Sequence, residues 1–339
     1  MTGPKDILRD LSKGAVRDRD AFRDTLEVMS SDAASVPQRA AFLALLRGRG
    51  GTVEEITGAA TLLREAMLRV EAPADAIDIV GTGGDGHGTF NVSTCAALVA
   101  AGCGVKVAKH GNRAVSSKSG ASDVLAALGV NLDAKPAVVS QAIAKAGVGF
   151  LWAPLYHPLM KTWAPVRAEL GFRTIFNLLG PICNPAGVTR QVVGVFDQVW
   201  LAPVAEVLRN LGAEHVWVVH GADGLDELTT TGVTHVAELK DGKIRAHRVT
   251  PEEAGLKRAT LADLTGGDAQ TNAAALLAVL HGDNSAYRDI VLLNTAAALI
   301  VAGRAETLKK GVAIAAQSID SGAAAEALDA LIEITGGGV

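Results

Sequence analysis

Aromatic residues are scarce in this chain, at 4% of 339 positions, and cysteines number only three. Few rings beside abundant alanine and glycine suit close packing of helices on a sheet. Cys95, Cys103 and Cys183 are scattered, and none belongs to a C-x-x-C pair. That pattern fits structural thiols in a reduced, cytoplasmic setting rather than a disulfide framework. Charge of one sign is not in large excess either. A formal net charge of −4 argues against general affinity for nucleic acid or membrane, while leaving room for a local basic pocket. No apolar run is long enough to span a bilayer, since the longest, Ile290 to Ala302, is short and interrupted by Asn294. The first residues, MTGPKDILRDLSKG, carry charge too early for a signal peptide, so a soluble cytoplasmic protein is expected. The P-loop signature G-x-x-x-x-G-K-[ST] is absent, as are internal repeats and low-complexity stretches. What remains is a globular chain, 49% hydrophobic, long enough for two domains or one large one.

Residues 1–72 read as helices only. Ile7, Leu8 and Leu11, then Phe22, Leu26 and Met29, keep helical spacing. Ser35 with Gln38, and Thr52 with Glu55, are capping-box signatures for two further helices. From Ile77 the pattern changes to strand–helix alternation, which implies βαβ units and a mostly parallel sheet covered by helices. Strands are expected at Ile77–Val80, Val105–Ala108, Val148–Ala153, Gln191–Phe196, His215–Val219 and Val233–Leu239. Lys243–Val249 adds an antiparallel strand through the turn residues Asp241 and Gly242. One stretch breaks the alternation: Leu159–Leu170 and Thr174–Leu179 read as helices with no strand between them. The expected fold class is α/β, a small all-helical domain plus a large α/β domain whose central sheet is flanked by helices. Residues 1–72 form the small domain, with about 159–185 packing onto it, and 73–158 with 186–339 form the large one. The alanine- and leucine-rich tail, Asp268 to Ile334, reads as packing rather than chemistry.

The chemistry centres on Ile77 to Gly120. A short apolar strand runs into glycines at 81, 83, 84, 86 and 88, and a helix opens near Asn91 to Thr94. Open amides and the positive helix end would face an anion over that loop. Lys109, His110, Asn112 and Arg113 follow the second strand, and Ser116, Ser117, Lys118, Ser119 and Gly120 form a third polar turn. Residues 81–86 also spell G-x-G-x-x-G, but a dinucleotide site needs an acid about 20 residues further on, where this chain has Lys109 and His110. Amides, hydroxyls and cations together describe a polyphosphate site.

Two other stretches stand out. HGADGLDEL puts Asp223, Asp226 and Glu227 on a loop after a strand. A solvated acidic turn is the commoner meaning of such a loop. Beside a polyphosphate loop, Mg²⁺ is favoured, because it is held by one or two carboxylates plus substrate phosphates, with Ser93 as a further oxygen donor. In Leu155 to Pro185, Arg167 lies among apolar residues, where a guanidinium suits fork-like pairing with a carboxylate. In isolation it reads as a surface or salt-bridged arginine, His157 as a cap, and Lys161 and Arg173 as structural.

GTGGD at 81–85, NVST at 91–94, KHGNRAVSSKSG at 109–120, HPLMK with VRAELGFRTIFNLLGP, and DGLDE at 223–227 stand in one order. With these, the sequence closely resembles the anthranilate phosphoribosyltransferase family, within the nucleoside-phosphorylase-like phosphoribosyltransferases, over almost its whole length. Pyrimidine nucleoside phosphorylases share that fold, but their lysine turn resembles K-x-S-G-R, unlike the KHGN turn here. The resemblance implies transfer of phosphoribose from phosphoribosyl pyrophosphate (PRPP) to the amine of anthranilate, the second step of tryptophan biosynthesis from chorismate. It also implies two Mg²⁺ ions per subunit and a homodimer meeting through the helical domains, with no nucleic-acid or membrane partner.

Carried over by residue, Gly81, Gly84, Asp85, Thr89, Asn91, Val92, Ser93, Thr94 and Ala121 would contact PRPP. So would the turn Lys109, His110, Gly111, Asn112, Arg113, Ala114, Val115, Ser116 and Ser117. Ser93, Asp226 and Glu227 would hold metal. Gly81, Asn112, His157, Arg167 and Gly180 would line the anthranilate path, and Lys109, His110, Asn112 and Arg167 would carry catalysis. Ala121 stands where members of the family often have serine, and Ser122 where alanine is usual. A nucleoside phosphorylase, or a non-catalytic nucleic-acid-binding relative, is the alternative.

Overall fold

The computed structural model describes residues 3–113 and 118–336. Four helices lead the chain: α1 (Pro4–Ser12), α2 (Arg19–Ser30), α3 (Val36–Arg49) and α4 (Val53–Ala66). Both expected capping boxes form, at Ser35/Gln38 and Thr52/Glu55. Glu55 does more than cap, because its buried carboxylate also accepts two 2.8 Å bonds from Arg49. Gly58 lets α4 lie directly on α2, since a Cβ there would sit 2.2 Å from Arg19 O.

The sheet contains β1 (Ile77–Gly81), β2 (Val107–Gly111), β3 (Val148–Trp152), β4 (Arg190–Gly194), β5 (His215–Gly221), β6 (Thr234–Lys240) and β7 (Lys243–Val249). Among the described residues their order is β3-β2-β1-β4-β5-β6-β7. The first five strands run parallel, and β6 and β7 close an antiparallel edge through Asp241 and Gly242, both at positive φ. Helices α5 (Val92–Gly102), α6 (Ala121–Ala127) and α7 (Pro136–Lys145) connect the first three strands, and α11 (Leu201–Asn210) connects β4 to β5.

Most expected strand ends shift by one or two residues, and two larger changes bear on the site. The second strand is Val107–Gly111, not Val105–Ala108, paired in register with Val148–Trp152. Lys109 and His110 therefore lie inside the sheet rather than beyond its end. The expected helix over 159–170 is broken into α8 (Ala153–Tyr156), a 3₁₀ turn at Pro158–Thr162 and α9 (Ala164–Leu170), followed by α10 (Ile175–Ile182). Pro154, Pro158 and Pro165 each sit in the first turn of one of these pieces, where a missing amide costs least.

The two-residue period of the strands divides the core. Ile77, Ile79, Val192, Trp217 and Val219 face α5 and the tail helix α13 (Ala286–Val301), whereas Val193, Val195, Val216 and Val218 join Phe42, Trp163 and Phe176 on the other side. Trp163 packs between Phe42 and Phe176, with centroids 5.9 and 5.1 Å away, and donates to Ser30 Oγ. Segment 163–182 is thereby fastened to the N-terminal helices. The tail adds α12 (Ala269–Leu280), α14 (Leu308–Asp320) and α15 (Ala323–Thr335). No helix of the described residues is long and apolar enough to cross a membrane.

Candidate active site

A cleft of about 390 Å³ opens between the α9–α10 segment and the carboxyl ends of β1 and β2, with the acidic loop after β5 in its wall. It is lined by Gly81, Gly84, Asp85, Thr89, Asn91, Val92, Ser93, Thr94, Lys109, His110, Gly111, Asn112, Arg113 and Ala121, and by His157, Arg167, Gly180, Asp226 and Glu227. Every residue carried over from the family resemblance, among those described, lines this one cleft. Ala114, Val115, Ser116 and Ser117 lie outside the described residues.

The acidic loop reaches over the strand ends because two glycines make room for it. A Cβ on Gly194 would sit 1.6 Å from Asp226 O, and one on Gly81 would sit 2.4 Å from Asp226 Oδ2. Asp226 Oδ2 accepts from Gly83 N at 2.6 Å, and Glu227 Oε1 accepts from Ser93 N at 3.2 Å. Asp85 accepts from His87 N and lies close enough to Asp226 to perturb it. Burial first, and the neighbouring carboxylates second, push Asp226 and Glu227 above the usual carboxylate range. Asp223 is not part of this group. It turns into its own loop, accepting from Thr229 Oγ1, Thr231 Oγ1 and Leu225 N.

Three acids crowd one side of the cleft with Lys109 as the nearby cation. Lys109 is buried, and its ammonium donates to Ile79 O at 2.7 Å beneath the glycine loop. Burial lowers its pKa, while Asp78, Glu227 and Asp226 raise it. Among the described residues no three His, Cys, Asp or Glu side chains converge to enclose a metal. Asp226 and Glu227 fit a hard divalent cation whose remaining ligands come from water or phosphate, the way Mg²⁺ is usually held.

His157 holds the cap position its sequence context suggests, between α8 and the 3₁₀ turn at Pro158–Thr162. Its side chain makes no capping bond, though; the residue is 5% exposed and sets its Nε2 3.3 Å from His110 Nε2. His110 Nδ1 meets Gly180 O at 3.1 Å. A carbonyl only accepts, so Nδ1 of a neutral His110 carries the proton and its Nε2 accepts from His157. Burial, and then the charge of His157, lowers the His110 pKa to about 3, and burial lowers that of His157 to about 4. Both rings are neutral near pH 7, and His110 is too weak a base to take a proton early in a reaction.

Arg167 is neither a surface nor a salt-bridged arginine. Its guanidinium lies 5.5 Å from the Phe176 ring, burial lowers its pKa, and it forms no ion pair among the described residues. A desolvated fork of donors in a cleft is suited to a planar carboxylate. Asn112 is exposed at the rim, where its Oδ1 accepts from Arg113 N. Arg113 stacks over Trp152 at 5.4 Å, and Arg173 stacks over Phe196 at 4.3 Å.

Residues 73–325 match the a/b domain of a glycosyl transferase family, and residues 5–67 match its helical bundle domain. The chain is 60% identical over 335 residues to the anthranilate phosphoribosyltransferase of Rhodopseudomonas palustris strain BisB18, with 99% of each chain covered. The chain belongs to the anthranilate phosphoribosyltransferase family. The crystal structure of the family's Thermus thermophilus member superimposes with a TM-score of 0.92 at 44% identity, covering 97% of this chain and 99% of that one. The Saccharomyces cerevisiae anthranilate phosphoribosyltransferase, in complex with PRPP and Mg, gives 0.84 at 29% identity, covering 99% and 94%.

Sequence reasoning misses one polar residue of this phosphoribosyltransferase cleft and one that supports its wall. Lys161, structural by its sequence context, lines the cleft. The tail reads as packing, yet Asn294 of α13 bonds the backbone of Leu228, next to Glu227. The break that Asn294 makes in the longest apolar run is the available signal.

Proposed function

We propose that this chain transfers the 5-phosphoribosyl group of PRPP to the amine of anthranilate, giving N-(5′-phosphoribosyl)anthranilate and pyrophosphate. The observation that carries the reading is a single cleft holding both an amide-rich loop beside paired carboxylates and an arginine with no acidic partner among the described residues. The first suits a metal-bound pyrophosphate, and the second suits the carboxylate of an aromatic acid.

In the reaction the bond from ribose C1 to the pyrophosphate oxygen breaks, a bond from C1 to the anthranilate nitrogen forms, and that nitrogen then releases one proton to the departing pyrophosphate or to water. Glycine-loop amides, the α5 N-terminus and Lys109 stabilise the charge that collects on the departing oxygens. Arg167 fixes the anthranilate carboxylate and Asn112 its amine, so positioning supplies much of the rate. The amine of anthranilate is largely unprotonated at neutral pH and needs no base before attack. His110 keeps its neutral form and acts as a wall of the anthranilate path. Asp226, Glu227 and Ser93 would hold Mg²⁺, which offsets the charge of the pyrophosphate. Three carboxylates at one edge support two ions per subunit.

Exposed Val16 and Val36 on the helical part support association through that part into a homodimer. Three free cysteines support a reducing, cytoplasmic setting. Incubation with PRPP, anthranilate and Mg²⁺ should extinguish anthranilate fluorescence as the product forms. No loss of fluorescence, or turnover of a pyrimidine nucleoside with phosphate instead, overturns the reading.

A further inference from the structure

Asn91 occupies the N-cap of α5, yet its side chain makes no capping bond. An asparagine there ordinarily turns its oxygen back to the second or third amide of its own helix. Here the oxygen accepts from Asn272 Nδ2 at 2.9 Å, and Asn91 Nδ2 donates to Ser119 O at 3.4 Å. Asn272, in α12, is 2% exposed, and its Oδ1 accepts from Gly267 N at 2.7 Å.

These bonds run in one direction. The Gly267 amide can only donate, which fixes the end of the Asn272 side chain that carries oxygen. Asn272 must then donate to Asn91, which fixes the Asn91 amide in turn and leaves its nitrogen for Ser119 O. Residues just before the tail and within it grip the loop at other points as well. Gly266 N donates to Gly88 O at 2.9 Å, Phe90 N donates to Leu264 O at 3.1 Å, and Tyr287 Oη donates to Asn91 O at 3.1 Å. A Cβ on Gly266 would sit 2.8 Å from both Asn272 Oδ1 and Thr89 O, so the contact tolerates no side chain there.

We propose that Asn272 is a positioning residue for the phosphoribosyl donor. It holds the Asn91 amide in one orientation, draws it away from the amides of the α5 first turn, and ties that turn to residues 118–120. A buried amide with a single satisfied arrangement suits this task, because turning it over leaves unpaired donors facing each other. The proposal rests on the reading of the cleft as a PRPP site.

Two substitutions test it. In Asn272→Asp, the carboxylate still accepts from Gly267 N but sets an oxygen against Asn91 Oδ1, so Asn91 must flip and release Ser119 O. In Asn272→Ala, both bonds are lost without the repulsion. Each should raise the PRPP KM by about tenfold and weaken PRPP binding in calorimetry to match, with the anthranilate KM within about twofold of wild type. A role in stability alone predicts a lower melting temperature with both KM values unchanged or equally changed, and that result overturns the proposal. If the aspartate variant does not fold, the alanine variant carries the same comparison. Wild-type protein in the same assay separates the two ideas, since a wild type that does not use PRPP refutes the functional reading and not the relay alone.

Discussion

Asn294 brackets the backbone of Leu228: its Oδ1 accepts from Leu228 N at 3.0 Å, and its Nδ2 donates to Leu228 O at 2.8 Å. It is fully buried in α13, and Nδ2 also donates to Ile290 O at 2.9 Å. A buried amide with all its bonds made is tolerable, but losing it strands two polar groups of Leu228 beside Glu227. Asn294→Leu should cost about 1–3 kcal/mol in urea unfolding. It should also raise the Mg²⁺ concentration needed for half-maximal PRPP binding in calorimetry. Wild-type metal dependence in a destabilised variant would show that Asn294 supports only the core.

Arg167→Ala should raise the anthranilate KM by roughly 10- to 100-fold, the range for bonds to a charged group, with a far smaller change for PRPP. The Phe176 ring beneath the guanidinium remains, so the wall of the cleft is kept. Equal changes in the two KM values would remove Arg167 from the anthranilate end.

Much of the cleft is legible in the sequence because its residues announce themselves locally. Glycines stand at 81, 83, 84, 86 and 88, and those at 83, 84, 86 and 88 adopt φ above +60°, which marks a loop that only glycine tolerates easily. The adjacent acids at 226 and 227 both line the cleft. The parallel sheet follows from strand–helix alternation, and the antiparallel edge from Asp241-Gly242. What the sequence hides are relationships between distant positions. His157 pairs with His110 across 47 residues. Lys109 looks like a strand-end cation but is buried within β2, its ammonium bonded to Ile79 O across the sheet. Asn272 and Asn294 are buried polar residues in helices rich in alanine and leucine, and nothing local tells which loop each one holds.

Glu227→Gln and Asp226→Asn should separate stability from function. Carboxylates whose folded pKa is raised are more easily ionised in the unfolded chain, so they cost stability as pH rises through the window above the ordinary carboxylate value. The neutral amides escape that cost. Either variant should melt at a higher temperature than wild type at about pH 7.5 without metal, while losing Mg²⁺-dependent turnover. A lower melting temperature would mean that Lys109 already compensates the acids.

The two histidines give a stability slope with the opposite sign. In the unfolded chain each titrates near pH 6.5, whereas in the fold His110 and His157 stay neutral down to about 3 and about 4. Between pH 6.5 and 4 the unfolded chain therefore binds more protons, so stability falls as pH falls through that window. Each histidine contributes up to about 1.4 kcal/mol per pH unit. Denaturant melts at about pH 7 and about pH 5 should show the decline in wild type and a shallower one in His110→Asn/His157→Asn. The neutral pair also predicts that the rate profile of wild type has no limb near pH 6.5 that disappears in His110→Asn. Such a limb would mean that His110 titrates near its ordinary value, and it would restore that residue as a base for the anthranilate amine.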